Sequence, residues 1–461
     1  MQFKRGSGRE VGAPFFLASR ALFVYLRSVL AIIALLLLTQ DPPVTIGTEP
    51  HSAVRLQLSG HIDPHYMVRS GAINEAGGVL NGLVLETGSS NAWSGRIGLR
   101  ADIEVKDRVS GVIELENRSF DEGLNRPFGS DPETDDLDIK QGYIEAGGSW
   151  INLRIGVQDV VFRNRPHDDP FFMDLGEVEG FFDGFSASAI RNTVDRDVRE
   201  AVGLRLFYTP FEIVTLQALW AVTGEGGGTS DDESVAAFAA SALLSESMAI
   251  WILAAAVSGG PGLDRVGTLG AGVDGYLGTG KEIEIFAEGY VQGGRLTADV
   301  RKEAFAVNVG SRYVAGKLQV EAAFSHRSGN RRTTDRIDQA FQSYENENRF
   351  LILQSSEFGL DVDTNLSVLR AAVGLGSFDL SNRPFRVQLD VGKFAADKPF
   401  TAGRKEDWGV EGDFSLTWSW NESFQFWLKG AWLLGSAILE ELTADREDDA
   451  RLLVFGAGLK F

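Results

Sequence analysis

Two stretches of thirteen residues, 93–105 and 408–420, alternate between apolar side chains and polar or small ones. This alternation limits the possible fold more than any other feature of the sequence. Because successive side chains in a β-strand point to opposite faces, each stretch predicts a strand with one apolar and one polar face. Strands of this length exceed those of most globular proteins and are long enough to cross a membrane at a tilt.

The same period of two recurs along most of the chain, which predicts about 18 strands. The predicted strands lie near 54–63, 93–105, 109–118, 137–146, 150–158, 201–208, 213–222, 235–244, 248–257, 266–277, 282–292, 303–314, 317–327, 365–376, 384–394, 408–420, 424–434 and 451–461. Their connections alternate between tight turns and long polar segments, as in transmembrane barrels with short periplasmic turns and long extracellular loops. The pattern therefore predicts an all-β fold, a transmembrane antiparallel β-barrel.

Composition removes several classes of function. The 461 residues include no cysteine, which excludes disulfides and thiolate chemistry, and only five histidines, which disfavours a histidine-rich metal site. A net charge of -20 argues against a nucleic-acid partner. The 53 glycines and 13 prolines suit many strands and tight turns. We therefore expect no metal, no cofactor and no nucleic acid.

The first part of the chain has the pattern of an export segment. Basic residues precede the apolar run 29–38, as in a secretory signal peptide. We predict a signal peptide and leader over residues 1–47 and a single barrel domain over residues 48–461. An uncleaved inner-membrane anchor is the alternative, because 21–38 is nearly long enough to span a bilayer.

One predicted hairpin, 235–257, is apolar on both faces and has the composition of a membrane helix. The sequence Ser245-Glu246-Ser247 interrupts it, and a central glutamate is unfavourable inside hydrocarbon. We therefore predict a hairpin whose inward face is small and apolar and is covered by a loop, with a helix as the alternative.

On the predicted register the polar faces of the strands carry charges that point into the barrel. These candidate selectivity residues are Arg55, Arg96, Arg100, Arg154, Arg205, Arg312, Arg370, Arg386, Glu114, Glu116, Glu284, Glu288, Asp390 and Asp413. As a set they favour a polar, hydrated path for charged solutes or sugars. Arg forks suit carboxylate and phosphate groups, whereas the net negative charge favours cations, so the sequence leaves both ion preferences open. The alternative is that the charges pair and neutralise one another.

A loop folded into the barrel would add a constriction. The segment 159–200 is the longest predicted external loop, and its apolar residues could hold it against the wall. The candidate constriction residues are Arg163, Arg165, Asp168, Asp169, Asp174, Phe171 and Phe172. A solvated surface loop is the alternative interpretation.

Three short motifs and the last strand resemble known outer-membrane barrels. The motifs are 155–158, 182–184 and 324–330, and together with the strand pattern they resemble alginate-export-like and other porin-type channels. The last strand resembles the assembly signal of such barrels, with Phe455, Leu459 and Phe461 on one face. The resemblance implies an integral outer-membrane location, contact with lipid bilayer, lipopolysaccharide and the barrel-assembly machinery, and passage of small polar solutes or anionic polysaccharide.

Other functions remain open at this point. A phosphate-selective or general diffusion porin would have the same strand pattern, and so would a non-conducting surface barrel such as an adhesin. An outer-membrane hydrolase is the enzymatic alternative, but no nucleophile motif surrounds the serines at 186 and 188. We therefore predict a channel rather than an enzyme.

Overall fold

The fold is given by a computed structural model. It describes residues 45–46, 54–71, 88–105, 109–119, 137–148, 150–158, 201–211, 213–224, 233–245, 247–258, 265–278, 280, 282–330, 336–341, 350–354, 362, 364–379, 383–399, 406–442 and 448–461. Twenty strands and one short helix, α1, lie in these residues. The strands are β1 (Thr45–Ile46), β2 (Val54–Gly71), β3 (Gly88–Val105), β4 (Val109–Ser119), β5 (Leu137–Gly147), β6 (Ile151–Gln158), β7 (Ala201–Phe211), β8 (Val214–Gly224), β9 (Glu233–Ser245), β10 (Met248–Ser258), β11 (Arg265–Leu277), β12 (Ile283–Arg295), β13 (Arg301–Ala315), β14 (Leu318–Arg327), β15 (Ile337–Asp338), β16 (Leu366–Asp379), β17 (Pro384–Ala395), β18 (Asp407–Ser419), β19 (Phe424–Leu434) and β20 (Ala450–Lys460).

Eighteen of these strands form a closed antiparallel barrel, which confirms the predicted fold class. Each barrel strand pairs with the next one along the chain, and β14 pairs with β16 because the two-residue β15 lies outside the barrel order. The pairing of β2 with β20, from His61↔Lys460 to Gly71↔Ala450, closes the cylinder. All edges of the long strands are therefore paired, which removes the open edge that a flat sheet would expose.

The two faces of the barrel wall differ in polarity, and the apolar face points outward. Leu369, Ile144 and Leu269 are more than 60% exposed on this outer face. On β18, Val410 points outward while its neighbour Glu411 is fully buried on the inner face. A soluble barrel has the reverse arrangement, because water-exposed apolar area of this extent is unfavourable.

Aromatic side chains on the wall lie flat over glycines of the neighbouring strand. Phe414 and Gly430 are register partners on β18 and β19, and a Cβ atom on Gly430 would collide with the Phe414 ring. On the inner face Trp251 covers Gly272 of β11 in the same way. The missing glycine side chain leaves room for the ring to lie along the wall, which explains part of the high glycine content.

The hairpin β2–β3 is longer than predicted. The sequence pattern gave strands at 54–63 and 93–105 with a loop between them, whereas β2 runs to Gly71 and β3 begins at Gly88. Pro64 follows the predicted strand end, and it remains in register with Gly95 on β3. On its other side the pairing with β20 passes from Ile62 to His65 without Pro64, which has no N–H to donate. A proline can therefore lie within this strand, because only the pairing with β20 is interrupted and the pairing with β3 is kept.

The apolar stretch 235–257 forms strands β9 and β10, so the predicted hairpin is confirmed and the helix alternative is wrong. Its inward residues Val235, Ala237, Leu253 and Ala255 are buried. The helix α1 (Ala437–Leu442) lies instead in the connection between β19 and β20, where the predicted loop 435–450 has an apolar turn. Ser436 caps it by accepting a hydrogen bond of 3.1 Å from the Leu439 N–H. Among the described residues no helix is long and apolar enough to span a bilayer.

Candidate functional site

The inner face of β3–β7, called here the arginine sector, carries three predicted arginines among the side chains that the structure describes. The Arg100 guanidinium donates to Asp102 at 2.9 Å on its own strand and to Glu114 at 3.0 Å on β4. The Arg100 side chain is 36% exposed, against 12% for Glu114. The cation is therefore the more accessible partner of this cross-strand pair.

Arg154 and Arg205 continue the arginine sector on β6 and β7. Arg154 forms an ion pair of 2.7 Å with Glu145 and lies 4.0 Å above the Tyr143 ring, measured to the ring centroid. Arg205 donates to the Gln217 amide oxygen at 2.8 Å. The two arginines are register partners, and opposed like charges destabilise a sheet unless neighbouring groups compensate them. The carboxylate, amide oxygen and aromatic ring around them supply that compensation.

A second set of predicted residues forms a charge ladder across β12, β13, β14 and β16. Arg312 lies 3.5 Å from Glu284 and 3.1 Å from Glu321, and Glu321 also pairs with Arg370. Both glutamates are 5% exposed. Charges in this ladder therefore neutralise one another along the wall, as in the alternative interpretation of the inward charges.

Glu288 is the centre of a buried polar network on β12 and β13. The Tyr290 hydroxyl donates to one of its carboxylate oxygens at 3.0 Å, and the Asn308 side-chain amide donates to the other at 2.9 Å. Each carboxylate oxygen thus accepts a hydrogen bond from a neutral donor. These bonds hold the buried carboxylate in place.

The other predicted residues differ in their surroundings. Asp390 is buried and accepts a hydrogen bond of 2.7 Å from Gln388, whereas Arg386 is exposed on the inner face of β17. Arg55 is also exposed, 3.9 Å from Glu104. The side chains of Arg96 and Glu116 lie outside the described residues, and so does the predicted constriction loop 159–200 with Arg163, Arg165, Asp168, Asp169, Asp174, Phe171 and Phe172.

The predicted assembly-signal residues lie on β20 and just after it. Phe455 packs against Tyr66 with ring centroids 5.4 Å apart. The Phe461 N–H donates to the Gly60 carbonyl at 3.0 Å, and the Gly60 N–H donates to the Phe461 carbonyl at 2.8 Å. Leu459 is buried at the pairing of β20 with β19 and β2. These contacts place the three residues at the barrel seam, and their role in assembly stays a prediction.

A connection other than 159–200 folds against the inner wall. This inserted loop, residues 328–365, joins β14 to β16, and its described parts are 328–330, 336–341, 350–354, 362 and 364–365. Its first part is fixed to the wall by β15, which pairs in parallel with the start of β13. The fully buried Lys302 ammonium forms an ion pair of 2.7 Å with Asp338 and also donates to the Ala340 carbonyl. This end of the inserted loop is thus held by a backbone ladder and a buried ion pair.

The middle of the inserted loop is a turn, residues 350–354, called here the plug turn. The Leu351 N–H donates to Asp413 at 2.8 Å. The next two N–H groups, of Ile352 and Leu353, donate to the two oxygens of Glu411 at 2.6 and 3.0 Å. The sequence predicts Asp413 as an inward-facing selectivity residue. It does lie on the inner face, but the plug turn covers it and only 7% of the residue is exposed.

The side chains of the plug turn fill an apolar cluster inside β16–β20 and the adjoining β2, called here the covered sector. Phe350 meets Phe394 edge to face with centroids 4.8 Å apart. Helix α1 adds Ile438 and Leu439 to the same cluster. The wall side chains in the cluster are Met67, Leu366, Val368, Phe394, Trp408, Ala431, Leu433, Ala450, Leu452 and Val454. The lumen is therefore occupied by the chain itself along this part of the wall.

The free-energy terms that hold the plug turn are of comparable size. Burying one aliphatic or aromatic side chain contributes roughly 1.5–3 kcal/mol, whereas ordering one residue costs roughly 1–2 kcal/mol for the backbone alone. Four buried side chains and five ordered residues thus nearly cancel. A hydrogen bond contributes about 0.5–1.5 kcal/mol and a buried donor left without an acceptor costs roughly 1–3 kcal/mol, so the three bonds to Glu411 and Asp413 decide whether the plug turn stays docked.

The far end of the inserted loop is held separately. The Asn365 side chain exchanges two hydrogen bonds with the Lys398 backbone, at 2.8 and 2.9 Å. Asn365 adopts a positive φ of 52°, a conformation that asparagine tolerates better than most residues. Asp397 accepts a bond of 2.9 Å from the Gly329 N–H, which ties the beginning of the loop to the same place. Both ends of the inserted loop are therefore fixed independently of the plug turn.

The sequence contains a local signal for the plug turn, but strand prediction from alternating polarity does not use it. Residues 350–353 form the apolar run Phe-Leu-Ile-Leu inside an otherwise polar connection. A run of this kind in a predicted external loop indicates burial. Its partners Glu411 and Asp413 are about sixty residues away, so the sequence does not identify the contact. Among the described residues no group of His, Cys, Asp or Glu side chains is arranged to hold a metal ion.

Comparison with known proteins gives a likeness of fold. No protein-family model matches the chain, and no curated protein matches its sequence. The crystal structure of Pseudomonas aeruginosa OccK11 (OpdR) matches with a TM-score of 0.52 at 10% identity, over 88% of this chain and 96% of that one. P. aeruginosa OccK5 (OpdH) matches with a TM-score of 0.52 at 12% identity, over 88% of this chain and 98% of that one. Acinetobacter baumannii OccAB4 matches with a TM-score of 0.53 at 9% identity, over 90% of this chain and 100% of that one. These matches contain nothing specific to alginate export, and they show that the chain has the barrel fold of these Occ proteins.

Proposed function

We propose that this protein is an integral outer-membrane channel of the porin type that passes small polar or charged solutes. The observation that carries the proposal is the polarity of the closed 18-strand wall, apolar outside and charged inside. An apolar belt fits a lipid environment, and barrels of roughly 16–18 strands enclose an aqueous channel. The lipid bilayer, lipopolysaccharide and the barrel-assembly machinery are the partners that this location implies.

Small anionic solutes are the substrate class that the arginine sector favours. Its guanidinium groups are held by neighbouring side chains, so they are pre-oriented for carboxylate or phosphate groups. The Arg154 side chain is 21% exposed and that of Arg100 is 36% exposed, which leaves both within reach of a solute. The phosphate-selective alternative belongs to this class.

A polysaccharide such as alginate is a poorer fit than a small solute. The plug turn and helix α1 occupy the lumen along the covered sector, and Phe341 of the inserted loop packs against Tyr290 on another part of the wall. A polymer would need a continuous wide path past these segments. We therefore place the alginate-export-like function behind a small-solute channel.

Planar-bilayer recording of the purified full-length protein tests the channel function. We expect discrete conductance steps and a reversal potential that indicates preference for anions. Solute uptake into liposomes then separates the substrate classes, because small sugar acids or phosphate should enter while an anionic oligosaccharide should not. Absence of conductance and of solute uptake would favour a non-conducting barrel, the second candidate, which the occupied lumen of the covered sector supports.

A further inference from the structure

The plug turn is attached differently from the rest of the inserted loop. The two ends are held by a backbone ladder, a buried ion pair and the Asn365–Lys398 bonds. In the plug turn itself, the backbone N–H groups of Leu351, Ile352 and Leu353 donate to the side chains of Glu411 and Asp413 on the wall. Its release would therefore break these bonds together with its apolar contacts, and it would leave the contacts of both loop ends in place.

The two carboxylates depend on the plug turn in return. Glu411 is fully buried and accepts one N–H on each oxygen, and Asp413 accepts one N–H beside it. A buried carboxylate is unfavourable unless it is hydrogen-bonded, and here the plug turn supplies the donors. The carboxylates are thus stable while the plug turn is docked, and water can replace these donors once the plug turn leaves.

We propose that the plug turn is a releasable gate and that Glu411 and Asp413 are its latch. In the docked state the turn fills the covered sector, and in the released state the loop ends keep it tethered while this part of the lumen opens to water. The inference rests on the proposed channel function, since a gate has meaning only in a conducting barrel. Docking of the turn can nevertheless be measured without any conductance.

The absence of native cysteine makes a single-thiol experiment possible. Ile352 is fully buried in the plug turn, so Ile352→Cys in the full-length folded barrel reports release through its rate of labelling by a water-soluble maleimide. This substitution is combined with Glu411→Gln and Asp413→Asn, which keep the shape but replace one acceptor oxygen of each side chain by an NH2 group that cannot accept an N–H. The matched control is Asp274→Asn, which neutralises another buried inward carboxylate, on β11. Heat-modifiable migration verifies that each barrel is folded.

We expect labelling of Ile352→Cys to be at least about tenfold faster in the latch variant, since tenfold corresponds to about 1.4 kcal/mol and the acceptors of three hydrogen bonds are altered. The Asp274→Asn control should label at the original rate. In bilayers the latch variant should show larger or longer openings than the unmodified protein. If the latch variant does not fold, Glu411→Asp provides a milder change, because its shorter side chain cannot reach both N–H groups.

An unchanged labelling rate in the folded latch variant would overturn the gate. Failure of both variants to fold would also overturn it, because the carboxylates would then hold the barrel rather than the turn. Faster labelling with no conductance in any variant would support the release of the turn and refute the channel. The two proposals therefore fail in different ways.

Discussion

The covered sector and the arginine sector place charges on the same inner face, yet their charges have opposite surroundings. In the covered sector Glu411 is fully buried and accepts hydrogen bonds from the backbone of a distant loop. In the arginine sector Arg100 and Asp102 pair with each other while 36% and 39% of their side chains stay exposed. One sector uses charge to hold the chain to itself, and the other leaves charge available to a solute.

The difference shows that facing inward in a barrel is not the same as facing water. Period-two alternation fixes which face a side chain occupies, because that depends only on the strand. Exposure depends on what folds over that face, and here a connection between β14 and β16 covers carboxylates on β18. Charge accessibility in the lumen is thus a long-range property.

The largest effect should come from removing the main acceptor in the covered sector. Glu411→Ala leaves the Ile352 and Leu353 N–H groups without their acceptor, and each buried unsatisfied group costs roughly 1–3 kcal/mol. We expect the free energy of opening at 351–353 to fall by roughly 2–6 kcal/mol, the sum for the two groups. The faster hydrogen exchange that results is measured by mass spectrometry. The matched change in the arginine sector is Glu114→Ala, which leaves Arg100 bonded to Asp102 and should alter local exchange much less. If hydrogen exchange accelerated equally around Glu411 and Glu114, the two sectors would not differ in how strongly their carboxylates hold the chain.

The strands of both sectors could be predicted from the sequence, because alternation over ten or more residues is a local signal. The strand count, the β9–β10 hairpin and the inward side of β18 all follow from it. The contact between 350–353 and Glu411 could not be predicted, since it joins segments about sixty residues apart and produces no periodic pattern in the sequence. The end of β2 was a smaller error of prediction. The strand continues past Pro64 because the pairing with β3 is kept there, while the pairing with β20 has a gap at the residue that lacks an N–H.

The next effect distinguishes the two faces of one strand in the covered sector. Phe414→Arg puts a cation on the outer face and removes the ring that covers Gly430, and arginine at a lipid-facing position near mid-membrane costs roughly 2–4 kcal/mol. We expect a lower yield of folded barrel and a lower midpoint of denaturant unfolding.

Asp413→Arg is the control on the inner face of the same strand. A guanidinium cannot accept the Leu351 N–H, so we expect this variant to keep the barrel and to lose the docked plug turn. Loss of the whole barrel in Asp413→Arg, to the same extent as in Phe414→Arg, would mean that the covered sector supports the wall itself.

A smaller effect should appear in the arginine sector. Arg154→Gln removes a partly exposed charge from the lumen while Arg205 remains on the neighbouring strand. A unit charge about 6 Å from a solute in a water-like dielectric contributes about 0.7 kcal/mol, or roughly threefold in occupancy. We expect the anion-to-cation permeability ratio to fall by about that factor, measured from reversal potentials in a salt gradient. Arg370→Gln, in the buried ladder, should change the ratio less, and the opposite order would invert the roles assigned to the sectors.

The smallest effect tests whether burial, rather than charge as such, makes the bonds of the covered sector strong. Lys393 and Asp407 form an ion pair of 2.6 Å between β17 and β18, with side chains 49% and 48% exposed. Lys393 is on the outer face of the strand whose inner face carries Gly392 and Phe394 in the covered sector. Exposed ion pairs contribute about 0–1 kcal/mol because water and salt screen them. Lys393→Ala should therefore leave exchange at 351–353, conductance and the unfolding midpoint nearly unchanged, at low and at high salt. A loss comparable to that of Glu411→Ala would show that a charge near the ends of β17 and β18 matters whether or not the chain covers it.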